Sequence, residues 1–237
     1  MSAAVALSLR GLRKTYGNVV ALDEFNLEVA AGECVALIGH NGSGKTTATR
    51  IAAGQLKPTA GQAMVLGTDI HRGRDTARAR AQLAFVPDNP VLYPDLTVAE
   101  HLQLVGLAHG VSDDLDDRGD ALLKELDLTA RRNFLPSHLS RGMRQKTQLA
   151  CSLVRPFKVM ILDEPIVGLD PPSQVTLRTT LLNVKRAGAA VLLTTHQLGF
   201  SAGLADRAVV LSEGRVVEEG SYEQVLGGTV ATELGLV

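Results

Sequence analysis

The sequence has no excess of charge, no disulfide framework and no long apolar run, and each absence excludes a class of protein. Lys and Arg total 24 against 25 Asp and Glu, a formal net charge of -1, so no global field draws the chain onto nucleic acid or an anionic membrane. The two cysteines among 237 residues sit inside apolar runs, Cys34 in Glu-Cys-Val-Ala-Leu-Ile and Cys151 in Leu-Ala-Cys-Ser-Leu. They read as small buried hydrophobes in a chain that needs no disulfides, and nothing suggests an oxidising compartment. No apolar stretch approaches the ~20 residues a membrane-spanning helix requires. The opening Ala-Ala-Val-Ala-Leu-Ser-Leu has its positive charges after it, at Arg10 and Arg13, the reverse of a secretory signal, and is expected to be a strand. Repeats, low-complexity tracts and long linkers are also missing.

What is present is ordinary for a globular protein: 45% hydrophobic and 21% charged residues, enough for one large domain or one core carrying an inserted subdomain. Short apolar or alternating runs predict strands at Val5 to Leu9, Asn26 to Val29, Cys34 to Ile38, Ala63 to Leu66 and Leu83 to Val86. Further strands are expected at Val159 to Leu162, Ala190 to Thr194, Ala208 to Leu211 and Val216 to Glu218. Helices are expected at Gly44 to Gln55, Leu96 to Leu107, Ala121 to Leu128, Gly142 to Leu153 and Pro171 to Arg186. Strands alternating with helices imply an α/β fold with a mostly parallel sheet covered on both faces, interrupted from about Pro87 to Pro156 by a helical insertion. Arg72, Arg74, Arg78 and Arg80 read as a solvated helix face, not as a nucleic-acid site.

Gly39-His40-Asn41-Gly42-Ser43-Gly44-Lys45-Thr46-Thr47 matches the G-x-x-x-x-G-K-[ST] phosphate loop, between a predicted strand and a predicted helix as that chemistry requires. The glycines let backbone N–H groups close around phosphates. The helix start adds a positive dipole end, Lys45 reaches the outer phosphates and Thr46 offers a hydroxyl to Mg2+. This loop alone specifies a nucleotide and leaves kinases, GTPases and ATPases open. Val159-Met160-Ile161-Leu162-Asp163-Glu164-Pro165 is an apolar strand ending in two carboxylates. A strand delivers Asp163 to the carboxyl edge of the sheet, where ligands of such folds bind and where it can hold Mg2+. Glu164, pointing elsewhere, can accept a proton from an attacking water.

Leu139-Ser140-Arg141-Gly142-Met143 at a predicted helix start resembles the signature segment of the ABC family. Val167-Gly168-Leu169-Asp170 is similar to that family's D-loop, Thr194-Thr195-His196 to its switch histidine, and Tyr16 lies where the family stacks adenine. The resemblance runs in order from Tyr16 to His196. It implies a P-loop NTPase core with an N-terminal antiparallel β subdomain, and an inserted α-helical subdomain at 88–156 between core segments 1–87 and 157–237. It also implies ATP and Mg2+ as cofactors, with Lys45, Glu164 and His196 catalytic and Thr46, Asp163 and Asp88 around the metal. Tyr16, residues 39 to 47 (Gly39, His40, Asn41, Gly42, Ser43, Gly44, Lys45, Thr46, Thr47), Ser140 and Gly142 would contact nucleotide. The implied partners are a membrane permease and a second cassette, identical or not, sandwiching ATP between one chain's phosphate loop and the other's signature. No nucleic acid is expected. The implied location is cytoplasmic, peripheral on the inner face of the membrane.

The sequence departs from the family pattern at two places. Asp88 stands where the family usually has glutamine, exchanging an amide that donates and accepts for a carboxylate that only accepts when ionised. Arg141 and Met143 replace a glycine and a glutamine of the signature, and Met143-Arg144-Gln145-Lys146 resembles simple exporter-type subunits. Pro90 to Leu107, with Val91, Leu92, Tyr93 and Leu96, lies where the family docks its permease. His40, His71, His101, His109 and His138 show no metal-ligand spacing. A translation or repair ATPase of the same family would carry tandem cassettes or long insertions, and a phosphate-loop kinase would have no use for the signature or His196.

Overall fold

The computed structural model describes residues 4–233 and 235. They divide into two units, one made of the chain up to Ala84 with Phe157–Glu164 and the chain from Leu181 onward, the other of Phe85–Pro156 with Pro165–Thr180.

The first unit opens with strands β1 (Val5–Tyr16) and β2 (Val19–Ala30). Both run well past the apolar alternation that predicts them. The ladder Leu9↔Leu27, Leu12↔Phe25, Tyr16↔Val19 continues through irregularities that admit polar residues, and Arg10–Glu28 and Arg13–Asp23 ion pairs bridge the strands on exposed surface. With β4 (Ala60–Val65) and β5 (Thr68–Asp69) they form an antiparallel sheet ordered β2-β1-β4-β5. The second sheet holds β3 (Cys34–Ile38), β6 (Leu83–Val86), β7 (Val159–Asp163), β8 (Ala190–Thr194), β9 (Arg207–Ser212) and β10 (Arg215–Ser221), in the order β10-β9-β3-β8-β7-β6. Every residue of β3, β7 and β8 is buried, as expected of parallel strands covered on both faces. Their registers, Leu37↔Thr194 and Asp163↔Thr194, align three strand ends on one carboxyl edge. Both cysteines are free and buried, and burial pushes each thiol up to about 12, far from the thiolate that chemistry or metal binding needs.

Helix α1 (Lys45–Ala52) follows β3. It stops three residues before its predicted end because Gly54 turns left-handed (φ 72) and Gln55 N–H donates back to Arg50 O at 2.9 Å, a glycine-terminated helix end. The arginine-rich connector forms the short helix α2 (Thr76–Ala81).

The second unit carries α3 (Val98–Ala108), α4 (Leu115–Glu125), α5 (Arg141–Leu153) and the start of α6 (Pro171–Arg186). Helix α4 begins six residues ahead of its predicted start at Ala121. Its first turn is acidic, Asp116 and Asp117, which suits a helix amino end but hides the apolar pattern that sequence reading follows. Helix α3 is set by a capping box: Thr97 Oγ1 accepts from Glu100 N–H (3.3 Å), and the Glu100 carboxylate accepts from Thr97 N–H (2.7 Å).

Candidate functional site

The phosphate loop joins β3 to α1. Its last glycine, Gly44, is the helix cap at φ 111, and a Cβ there would lie 2.5 Å from Ala21 O and 2.9 Å from Leu22 Cδ2, so glycine is required twice over, by torsion and by space. Lys45 curls back into the loop. Its ammonium donates to Gly39 O (2.6 Å) and His40 O (2.9 Å). Burial pulls its pKa below the ordinary lysine value, while the charges of Glu164 and Asp163 oppose that shift, which sets all three groups around one site. Ser43 Oγ is buried without a hydrogen-bond partner among the described residues. His40, Asn41 and Gly42 are exposed, Thr46 and Thr47 half-buried. A buried ammonium held by carbonyls beside an unsatisfied hydroxyl at a helix start is suited to a polyanion.

The acidic edge faces this loop electrostatically and is organised by Thr194. Asp163 is 1% exposed. Its Oδ1 accepts from Thr194 Oγ1 at 2.6 Å, and its Oδ2 is buried with no partner among the described residues. An unsatisfied buried carboxylate oxygen costs free energy unless a cation takes it, so the site fits a hard, oxygen-seeking ion such as Mg2+. Glu164 adopts a left-handed conformation at φ 47, a backbone cost of about 1–3 kcal/mol for a non-glycine residue. Its N–H donates to Thr194 Oγ1 (3.0 Å) and Thr194 O (3.2 Å). Its Oε2 accepts from His196 Nδ1 (2.9 Å) and His196 N–H (3.3 Å). A carboxylate oxygen accepts, so Nδ1 is the donor in this contact, and the ring that makes it is half-exposed. Lys45, Asp163, Glu164 and His196 thus meet in the first unit.

Tyr16, also in that unit, is 49% exposed, with Lys14 Nζ 5.1 Å from its ring centroid. The remaining expected residues lie in the second unit. Ser140 caps α5, its Oγ accepting from Met143 N–H at 3.2 Å. Gly142 makes a close approach in which a Cβ would lie 2.6 Å from Gly168 O, so the helix start rests on the D-loop-like segment. Asp88, half-buried, accepts from Asn89 Nδ2 at 2.8 Å. Val91 and Tyr93 are 78% and 61% exposed. Their backbone is pinned by Gln148, which accepts from Val91 N–H (3.1 Å), and by His101 Nε2, which accepts from Tyr93 N–H (2.8 Å). His101 Nδ1 donates to Thr97 O (2.7 Å), so this buried histidine is a neutral strut. The tight link of Thr194 to the Asp163 carboxylate and to the Glu164 backbone N–H is invisible in the sequence, because it depends on the register between β7 and β8.

A glycine loop between a buried strand and a helix, with the next strand but one in the same sheet ending in a metal-ready carboxylate followed by a second acid, defines a phosphate-loop nucleotide-hydrolysing protein. The comparisons narrow the class. A family described as "ABC transporter" matches residues 22–167. The ABC-type transporter ATP-binding protein EcsA of Bacillus subtilis (strain 168) is 33% identical over 220 residues, covering 92% of this chain and 88% of that protein. The SkfA peptide export ATP-binding protein SkfE of the same organism is 35% identical over 217 residues, covering 90% and 88%. Nod factor export ATP-binding protein I of Cupriavidus metallidurans is 33% identical over 229 residues, covering 96% and 75%. A solved ATP binding subunit of an ABC transporter superposes with a TM-score of 0.86 at 34% identity over 98% of this chain and 94% of that one. The chain belongs to the ABC transporter family, as an ATP-binding subunit with ATPase activity.

Proposed function

We propose that the chain hydrolyses MgATP to drive export through a separate membrane permease, working as a pair of copies that close head to tail on two ATP molecules. The observation that carries the catalytic part is the pair of strand-end acids in different states: Asp163 with one buried oxygen unpartnered, Glu164 with its carboxylate held by His196. Thr46 and Asp163 Oδ2 would hold Mg2+, which neutralises charge building on the transferred phosphoryl group. Lys45, released from Gly39 O and His40 O, exchanges those carbonyls for phosphate oxygens. Glu164 takes the proton of the attacking water. His196, through Nδ1 and its backbone N–H, fixes the Glu164 carboxylate, and its exposed ring is placed to meet the terminal phosphate. Ser140 and the first amides of α5 form an exposed helix start suited to the terminal phosphate held by the other copy.

Export is supported by the named peptide and Nod factor export relatives and by the Met143-to-Lys146 segment. Among the described residues no helix is long and apolar enough to cross a membrane, and in this reading the permease supplies the passage for the substrate. Exposed Val91 and Tyr93, on a backbone fixed by Gln148 and His101, form the surface proposed to meet it. Light scattering on the full-length Glu164→Gln chain tests the pairing. With saturating ATP and Mg2+ the mass doubles, with ADP it does not, and Ser140→Phe added to the same chain prevents the doubling. A single-chain mass at saturating ATP, or doubling indifferent to Ser140→Phe, contradicts the arrangement.

A further inference from the structure

We propose that Thr194 is a positioning residue for hydrolysis, whose hydroxyl selects which oxygen of Asp163 is left for the metal and fixes the backbone from which Glu164 projects. The inference rests on the roles of Asp163 and Glu164 given above and adds a residue to them. Thr194 ends β8 and is fully buried. A hydroxyl has one proton to give and two lone pairs to accept with, and here the proton goes to Asp163 Oδ1 at 2.6 Å while a lone pair accepts the Glu164 N–H at 3.0 Å.

The consequence for Asp163 is a choice between equivalent oxygens. Rotation about the last side-chain bond exchanges Oδ1 and Oδ2, and the carboxylate has no other hydrogen-bond donor among the described residues. A single short donor on Oδ1 stops that rotation and keeps Oδ2 free. Metal ligands held by such an outer contact bind better than loose ones, because the carboxylate does not have to be ordered when the ion arrives. The consequence for Glu164 concerns its backbone. A residue at φ 47 stays there only if its surroundings over-determine it, and the Glu164 N–H donates to Thr194 twice, to its hydroxyl and to its carbonyl. One side chain therefore sets the metal ligand and the proton acceptor together, so loss of the hydroxyl disturbs both.

The test compares Thr194→Val, which keeps shape and removes the hydroxyl, with Thr194→Ser, which keeps the hydroxyl and removes the methyl. In the full chain, ATP affinity in EDTA stays at the wild-type level in both variants. Affinity of the ATP-bound protein for Mn2+, followed by its paramagnetic resonance signal, falls about tenfold or more in Thr194→Val, and kcat falls with it by a similar factor. Thr194→Ser restores both. If the valine chain does not fold, Thr194→Ala removes the same hydroxyl and the same losses are expected. Mn2+ affinity and kcat at wild-type level in the valine or alanine chain overturn the inference, as does a folded serine variant as impaired as valine, which would assign the effect to packing of the methyl group. Asp163→Asn and Glu164→Gln measured alongside separate the two levels: normal turnover in those variants removes the underlying roles, whereas their loss with a normal Thr194→Val removes Thr194 alone.

Discussion

At the scale of residues, the site consists of groups held in costly states by their neighbours: a lysine ammonium buried against two carbonyls, an aspartate oxygen without a partner, a glutamate in the left-handed region. In the proposed mechanism each state is relieved or used when a phosphate and a cation arrive. Gly44 shows how little freedom the surrounding backbone has. In Gly44→Ala the methyl would meet Ala21 O and Leu22 Cδ2 at a φ of 111, so a loss of about 1–3 kcal/mol in stability is expected, read by thermal melting, together with a loss of ATP affinity read by calorimetry. The phosphate loop is legible in the sequence because its glycines, Lys45 and Thr46 stand at close, fixed spacing, and Asp163 and Glu164 because one ends and the other follows a run of five buried residues. In the sequence Thr194 reads only as a strand end beside the switch-histidine resemblance, and His101 only as a histidine without metal-ligand spacing. Their partners, Asp163 and Tyr93, are reached only through strand register and loop closure.

At the scale of elements, the buried strands β3, β7 and β8 lie where apolar pattern alone puts them, since full burial leaves the pattern uninterrupted, and α6 keeps its predicted bounds as well. The largest boundary shifts fall on β1 and β2, which carry cross-strand ion pairs, and on α4, begun by aspartates, with a smaller one at the glycine-terminated end of α1. Helix α3 carries the histidine that braces Tyr93, and its start depends on one reciprocal cap. Thr97→Ala removes that cap. A destabilisation of about 1 kcal/mol, a fall in Tm of about 2–4 °C, is expected, with ATP hydrolysis by the isolated subunit unchanged. An unshifted melting temperature would show that the cap contributes nothing to the helix.

At the scale of the whole molecule, the proposed transport role requires this near-neutral chain to change its affinity for its partners as nucleotide binds and is consumed. That coupling requires the nucleotide to hold one state better than another, and hydrolysis to end the preference. Every step of the account therefore depends on Glu164 converting a bound ATP, and the most direct measurement is turnover and ATP affinity on one preparation of Glu164→Gln. The account predicts ATP binding within about threefold of wild type and kcat reduced by about 100-fold or more. Turnover at the wild-type rate with ATP bound as tightly would contradict it.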